Sequence, residues 1–334
     1  MRILLTGVSG FVGTAVLPRL LEHGHEVRAL ARDRARVESA LEHADDVSVA
    51  DIELVIGDTL SGAGVLGAMR GIDVAYYLIH SMEPSPVRVS GSSTGGSSVP
   101  LARGSIETSF PARERASAET FAQAARAAGV KRIVYLGGPL PRTRRASTHL
   151  SSRHAVERIL MDGVPDSVAL RASIVIGARS RSFRFLVRLI ERLPVLALPS
   201  WRHFRTQPID ERDVVDMLAA CATSESVGGR SLDVGGPDVL TYGEIVERIA
   251  DLMMLGRPSV GLGVTVTPIA ARLAAILTSE QPELVLPLME GLTSDLLPAD
   301  GDAHELLNVE LHSFDSAVEH ALCEWEKVES LAAR

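Results

Sequence analysis

Gly7, Gly10 and Gly13 recur three residues apart in Thr6-Gly7-Val8-Ser9-Gly10-Phe11-Val12-Gly13, directly after the apolar run Ile3-Leu4-Leu5. Apolar residues at helical spacing follow from Thr14 to His23. A strand feeding a glycine turn and then a helix is what a dinucleotide site needs. Gly7 permits the tight turn, Gly10 lets the backbone approach a pyrophosphate, and Gly13 lets helix pack on strand while the helix N-terminus faces the phosphates. A second position with chemistry is the end of Asp73-Val74-Ala75-Tyr76-Tyr77-Leu78-Ile79, a buried fourth strand that delivers His80 and Ser81 to its carboxyl end. Ligands of open parallel sheets sit at that end.

Two further strand ends face an adenosine. Glu26 to Ala31 reads as the second strand and stops at Arg32-Asp33. A carboxylate there accepts from a ribose 2′-hydroxyl, whereas an arginine accommodates a 2′-phosphate. Arg32 comes first, with Arg28, Arg34 and Arg36 near it, so NADP(H) is favoured and NAD stays open through Asp33. Glu53 to Asp58 is the third strand; Asp58 either hydrogen-bonds an adenine amino group or caps a helix begun by Leu60.

The elements that must position these residues follow a βα alternation. A helix from about Ala112 to Ala128 closes on Gly129, Lys131 to Gly138 is the fifth strand, Ser151 to Met161 a helix and Val168 to Gly177 the sixth strand. This predicts an α/β fold with a doubly wound parallel sheet over residues 1–177, interrupted by a flexible Ser/Gly-rich insertion at 84–111. Residues 178–334 read as a smaller, mostly helical substrate-binding part. In it, helices at 183–192 and 213–221, a short strand at 206–209 and a capping box from Thr241 to Glu244 are expected, with 205–236 returning to the sheet.

Composition narrows the setting. The 334 residues carry a formal charge of −8, are 46% hydrophobic and include no apolar run long enough to span a membrane. Cys221 and Cys323 are the only cysteines, which predicts a reducing, cytoplasmic setting with no disulfide framework and no metal site. Charge is uneven: residues 126–205 hold 16 basic against 4 acidic side chains, and the remainder 18 against 38. That basic stretch either forms solvated arginine faces or presents a positive surface to an anionic small molecule; the acidic balance of the whole argues against nucleic acid. An oligomer is compatible with all of this.

Together with the glycine turn, Arg32 and Gly57-Asp58, the segments Tyr77-Leu78-Ile79-His80-Ser81-Met82, Val134-Tyr135-Leu136-Gly137-Gly138, Leu170 to Gly177 and Gly235-Gly236-Pro237 resemble an atypical short-chain dehydrogenase/reductase. The type is that of bacterial NAD(P)H-binding proteins related to NmrA-like proteins and to the nucleotide-binding accessory subunit of respiratory complex I. The resemblance runs from Met1 to about Leu255. It implies a Rossmann domain in which Gly7, Ser9, Gly10, Phe11, Val12, Gly13, Arg32, Asp58, Leu78, Ile79, His80 and Gly137 touch the cofactor, with Ala172, Ser173 and Ile174 near the nicotinamide.

Catalytic members of that superfamily use Tyr-x-x-x-Lys on the helix after the fifth strand. Here the only lysines are Lys131 and Lys327, preceded four residues earlier by Ala127 and Cys323. His149-Leu150-Ser151-Ser152-Arg153 stands in the motif's place. Arg153 would bind the ribose, and His149 has the proton affinity of a general acid near neutrality; the alternative is a loop histidine beside a ribose-binding arginine. The leading expectation is therefore an NADPH-dependent oxidoreductase acting on a carbonyl or activated alkene. His149, His80 or Tyr135 would supply the proton, and Ser81 or Ser173 would polarise the substrate oxygen. A non-catalytic NADP(H)-binding sensor or structural subunit is the alternative, and sugar-nucleotide epimerisation the third.

Overall fold

The computed structural model describes residues 1–42, 47–80, 109–140, 147–262, 294–299 and 301–331. Ser81, most of the 84–111 insertion and the basic loop Arg142 to Arg145 lie outside them. A seven-stranded sheet organises the chain, with every neighbouring pair parallel. Its strands are β1 (Arg2–Thr6), β2 (Glu26–Ala31), β3 (Glu53–Ile56), β4 (Val74–Tyr77), β5 (Arg132–Gly137), β6 (Val168–Ala172) and β11 (Ser231–Val234). The order is β11-β6-β5-β4-β1-β2-β3. The chain therefore winds outward one way from β1 to β3 and the other way from β4, and the carboxyl ends of β1 and β4 flank the switch point where a ligand crevice opens.

Alternation along β1 splits the core. Ile3 and Leu5 face one side, with Val16, Leu17 and Leu20 of α1 (Phe11–Glu22) and Leu218 of α7 (Glu211–Ala220). Leu4 faces the other, with Met69 of α3 (Val65–Met69), Phe121 of α4 (Phe110–Ala128) and Leu160 of α5 (Thr148–Gly163). Two adjacent tyrosines on β4 divide likewise: the Tyr76 hydroxyl donates to Leu218 O at 2.7 Å, and that of Tyr77 to Ser117 Oγ at 2.9 Å. Both are buried phenols with a partner, which avoids the cost of an unpaired polar group.

A separate apolar cluster gathers Phe183 and Ile190 of α6 (Arg181–Arg192), Ile245 and Ile249 of α8 (Tyr242–Leu252), and Phe314 and Trp325 of a C-terminal helix (Phe314–Glu326). Four differences from the sequence expectation have identifiable causes. The sixth strand does not run to Gly177: it stops at Ala172, Ser173 Oγ donates to Gln207 O at 2.6 Å, and β7 (Val175–Ile176) pairs instead with β10 (Ile209–Asp210). No helix begins at Leu60; Asp58 Oδ1 accepts from Leu60 N at 3.1 Å within a turn, and α3 starts at Val65. α4 starts at Phe110, two residues before Ala112, with Pro111 in its first turn. α5 starts at Thr148 with Ser147 as its cap, which puts His149 in the helix and not in a loop. The Thr241 capping box with Glu244 is formed.

Candidate functional site

At the end of β1, Gly7 has a φ of +74°, the left-handed region that disfavours a side chain, and a Cβ on it would lie 2.5 Å from Leu78 O. The turn closes with Gly10 N donating to Gly7 O at 2.8 Å. A Cβ on Gly13 would overlap the Gly7 carbonyl, whereas one on Gly10 would meet only that same oxygen, at 3.1 Å. So Gly13 brings α1 onto β1 and Gly10 leaves the approach to the helix open. No side chain caps α1 and its first turn holds no acidic residue. The first-turn amides of any helix lack an intrahelical acceptor, and here they point at the sheet's carboxyl edge beside Ser9, Phe11 and Val12. Thr6 Oγ1 locks this edge to β4, donating to Tyr76 O at 2.8 Å and accepting from Leu78 N at 3.2 Å.

Beyond Leu78 and Ile79 stands a cluster of proton-handling groups. His80 Nδ1 lies 3.1 Å from Glu114 Oε1, and Ser152 Oγ donates to Glu114 Oε2 at 2.9 Å. Glu114 is 5% exposed, a carboxylate held inside the protein by groups from β4's end, α4 and α5. The His149 ring is 5.0 Å from that of His80 and stacks at 6.1 Å on Phe110. Arg153, four residues after His149 on α5, donates from Nη2 to Leu136 O at 2.5 Å, while its buried Nε has no hydrogen-bond partner among the described residues. Arg153 and Leu150 also border Gly138 at the exit of β5.

The electrostatics assign protonation states. Burial would raise the Glu114 carboxyl, but the His80 and Ser152 hydrogen bonds and the Arg153 charge hold it below the ordinary carboxylate value. Burial, then Arg153, lowers His80 against the pull of Glu114. His149 falls to about 4 through burial, the neighbouring His80 and Arg153. At neutral pH both imidazoles are uncharged, so His149 does not titrate in the range expected of it from sequence. Tyr135 departs further: its hydroxyl donates to Arg153 O at 3.2 Å and burial pushes its pKa up. With its proton committed to a backbone carbonyl, it is not presented for transfer.

A family model described as NAD(P)H-binding matches residues 7–165. Residues 7–165 are an NAD(P)H-binding domain. This NAD(P)H-binding domain has reductases among its relatives: it is similar to 2-alkyl-3-oxoalkanoate reductase of Stenotrophomonas maltophilia (29% identity, over 49% of this chain and 39% of that protein). The match to divinyl chlorophyllide a 8-vinyl-reductase of Zea mays is 26% identical over 74% of this chain and 59% of the relative. The chain thus spans less than two thirds of either relative. Solved structures share the fold: a nucleoside-diphosphate-sugar epimerase from Staphylococcus aureus aligns with a TM-score of 0.70 at 14% identity, covering 96% of this chain and 100% of that one. UDP-glucuronic acid 4-epimerase from Bacillus cereus in complex with NAD aligns at 0.69 and 13% identity, covering 98% and 99%.

Arg32 is exposed just past β2, and Asp33 caps α2 (Arg34–Leu41), its Oδ1 accepting from Ala35 N at 2.9 Å. Arg28 is not beside them: it donates to the carbonyls of Ala68 and Arg70 and pairs with Glu53 at 2.8 Å. Ala172, Ser173 and Ile174 lie where the chain leaves the sheet, and Gly137 ends β5 beneath the Tyr135 ring. Two acids were missed from sequence. Glu114 had a signal, since it falls on the same stripe as Ala118, Phe121, Ala122 and Ala125, a charge on the buried face of a helix. Glu211 had none, reading as an ordinary first-turn acid of α7; its carboxyl lies against Gly177, beside the tip of the Phe11 ring, and both are far away in sequence.

Proposed function

We propose that the chain is an NADP(H)-dependent reductase of a carbonyl or activated alkene on a small, anionic molecule, in which His80 handles the proton. The observation that carries this reading is the Glu114–His80 pair, set beside His149 and Arg153 at the carboxyl ends of β4 and β5 and adjoining the glycine turn. The residues present fit a dinucleotide: the approach to the α1 N-terminus that Gly10 leaves open, and the unpartnered Arg153 Nε, are both at that edge. When bound, the dihydronicotinamide supplies a hydride equivalent. Arg153 takes the place of the ribose-binding cation, and Ser173 lines the nicotinamide end. Glu114 accepts from His80 Nδ1, which fixes the tautomer and leaves Nε2 to exchange a proton with the substrate. Arg153 and Arg181, whose charges both reach His80, favour an anionic substrate. The part built on the second apolar cluster would cover that substrate, and the cytoplasm suits the two free cysteines.

An imidazole with a lowered pKa holds little proton at neutrality, so the pH profile has a sign. Turnover of NADPH with an electron-poor carbonyl is expected to rise as pH falls from 8 to 6, and His80→Ala to lower kcat about 100-fold. Stopped assays of NADPH absorbance on a carbonyl panel measure both; a flat profile, or full rate in the variant, removes His80 from the chemistry. One observation favours a second reading, a non-catalytic NADP(H) sensor or structural subunit: both imidazoles of this cluster are lowered from the ordinary histidine value, first of all by burial. Absence of turnover with retained cofactor binding would select it. The epimerases resemble this chain in fold alone, and their chemistry is not carried over.

Cofactor choice rests on Arg32, with Asp33 engaged as a helix cap. NADPH is expected to raise the thermal transition more than NADH. Arg32→Ala should weaken NADPH binding about tenfold, the scale of one charge-assisted hydrogen bond, and leave NADH unaffected. Equal stabilisation of the unsubstituted protein by both cofactors would overturn the preference.

A further inference from the structure

Glu211 has a place in the fold that the reductase reading does not use. It opens α7 directly after β10, which runs parallel to β7, and its carboxyl rests on Gly177, the residue that follows β7. A Cβ on Gly177 would overlap Glu211 Oε2 and lie 2.8 Å from the tip of the Phe11 ring. Phe11 is the first residue of α1, at the end of the helix whose amides face the sheet's carboxyl edge. The carboxyl and the tip of the Phe11 ring, on the first residue of α1, therefore border the same glycine.

Among the described residues no hydrogen bond or ion pair reaches the Glu211 side chain. The neighbouring acid Asp210 is satisfied by Arg212, which donates from its amide, Nε and Nη2 at 2.8, 3.1 and 2.6 Å. Three charged groups act on Glu211: Asp210 from the cap of its own helix, Arg179 from the turn after β7, and Glu324 from the C-terminal helix. From α1 the neighbour is an uncharged ring. Burial, then Asp210, pushes the carboxyl up to about 8, with Glu324 adding to the rise and Arg179 opposing it. At neutral pH it is an uncharged acid.

We propose that Glu211 is a cofactor-site residue that couples dinucleotide affinity to protonation: the pyrophosphate is accepted while this carboxyl is neutral and repelled once it ionises. The proposal rests on the reading that the pyrophosphate sits on the glycine turn. The linkage has one sign. A ligand that brings negative charge binds the protonated form better, so it raises the carboxyl's pKa, takes up a proton on binding, and loses affinity as pH rises above about 8. His80 and His149 are already neutral throughout that range, and the 2′-phosphate of NADP, with a second pKa near 6, is fully ionised.

The test is titration of the full-length protein and of Glu211→Gln, which keeps the shape of the neutral acid, with NADP+ and separately with NAD+ from pH 7 to pH 9.5. The dissociation constant of the unsubstituted protein is expected to rise about tenfold over that range, with both cofactors because both carry the pyrophosphate, while Glu211→Gln changes by less than about twofold. Calorimetry of the unsubstituted protein in two buffers of different ionisation heat, at pH 8.5, should show net proton uptake, a readout that needs no variant. A flat profile, the same slope in Glu211→Gln, or no proton uptake overturns the coupling while the cofactor site stands. Absence of binding at pH 7 overturns the cofactor reading itself, and the coupling with it.

Discussion

Gly13→Ala is expected to abolish NADPH binding and to lower the stability of the fold by about 2–4 kcal/mol, the range of severe overpacking. The methyl group would enter the Gly7 carbonyl and lie 3.0 Å from Val8 Cα, and both neighbours are backbone. Neither can rotate away as a side chain would. The helix must then lift from the strand, which loosens Val16, Leu17 and Leu20 in the core beneath the sheet. It also withdraws the first-turn amides from the position where a pyrophosphate meets them. The contrast is Gly24→Ala. Gly24 has a φ of +73° but nothing within 4 Å of a Cβ, so its substitution carries only left-handed strain, about 1 kcal/mol. Thermal unfolding of both variants with and without NADPH separates the effects: Gly24→Ala should keep the full cofactor-induced shift and Gly13→Ala should show none. A normal shift in Gly13→Ala would mean that the cofactor is held elsewhere.

Features set by a few adjacent residues were legible in the sequence. The glycine turn, the second strand from Glu26 to Ala31 and the Thr241–Glu244 capping box are each specified within eight residues, so spacing alone reveals them. The parallel sheet followed from alternation, because each strand pairs with one reached through a helix. What escaped depends on contacts between distant segments. The sixth strand breaks because Ser173 finds Gln207 34 residues later, and no propensity in Val168 to Gly177 announces it. Tyr135 reads as an acid until Arg153 O takes its hydroxyl. His149 reads as a neutral-pH acid until burial, then His80, arriving from another strand, and Arg153 lower it to about 4. Protonation is a property of the assembled neighbourhood, so residue type supplied the candidates and packing decided their charge.

Glu114→Ala is expected to cost about 3–5 kcal/mol of stability at pH 7, the scale of removing one partner from a buried charged cluster. The carboxylate is the shared acceptor of His80 and Ser152, and the Arg153 charge lies close enough to lower its pKa. Alanine leaves Ser152 Oγ and His80 Nδ1 without that acceptor and Arg153 without that counter-charge, in a site where water cannot readily replace them. The pH dependence gives a second signature. Because the folded-state pKa of Glu114 lies below its ordinary value, its stabilisation is fully present above the unfolded-state pKa, near 4.5, and is lost as pH falls through the folded value. The gap between the unsubstituted protein and Glu114→Ala should therefore be widest at neutral pH and narrow toward pH 3. Denaturant unfolding at pH 7, 5 and 3 measures it, and a gap independent of pH would show that the loss is one of packing and not of charge. A double-mutant cycle with His80→Ala distinguishes a structural clasp from an orienting one. Coupling of about 1 kcal/mol or more in stability shows that the two side chains act on each other, and only if Glu114→Gln also shifts the pH profile of turnover does the carboxylate set the proton affinity of His80.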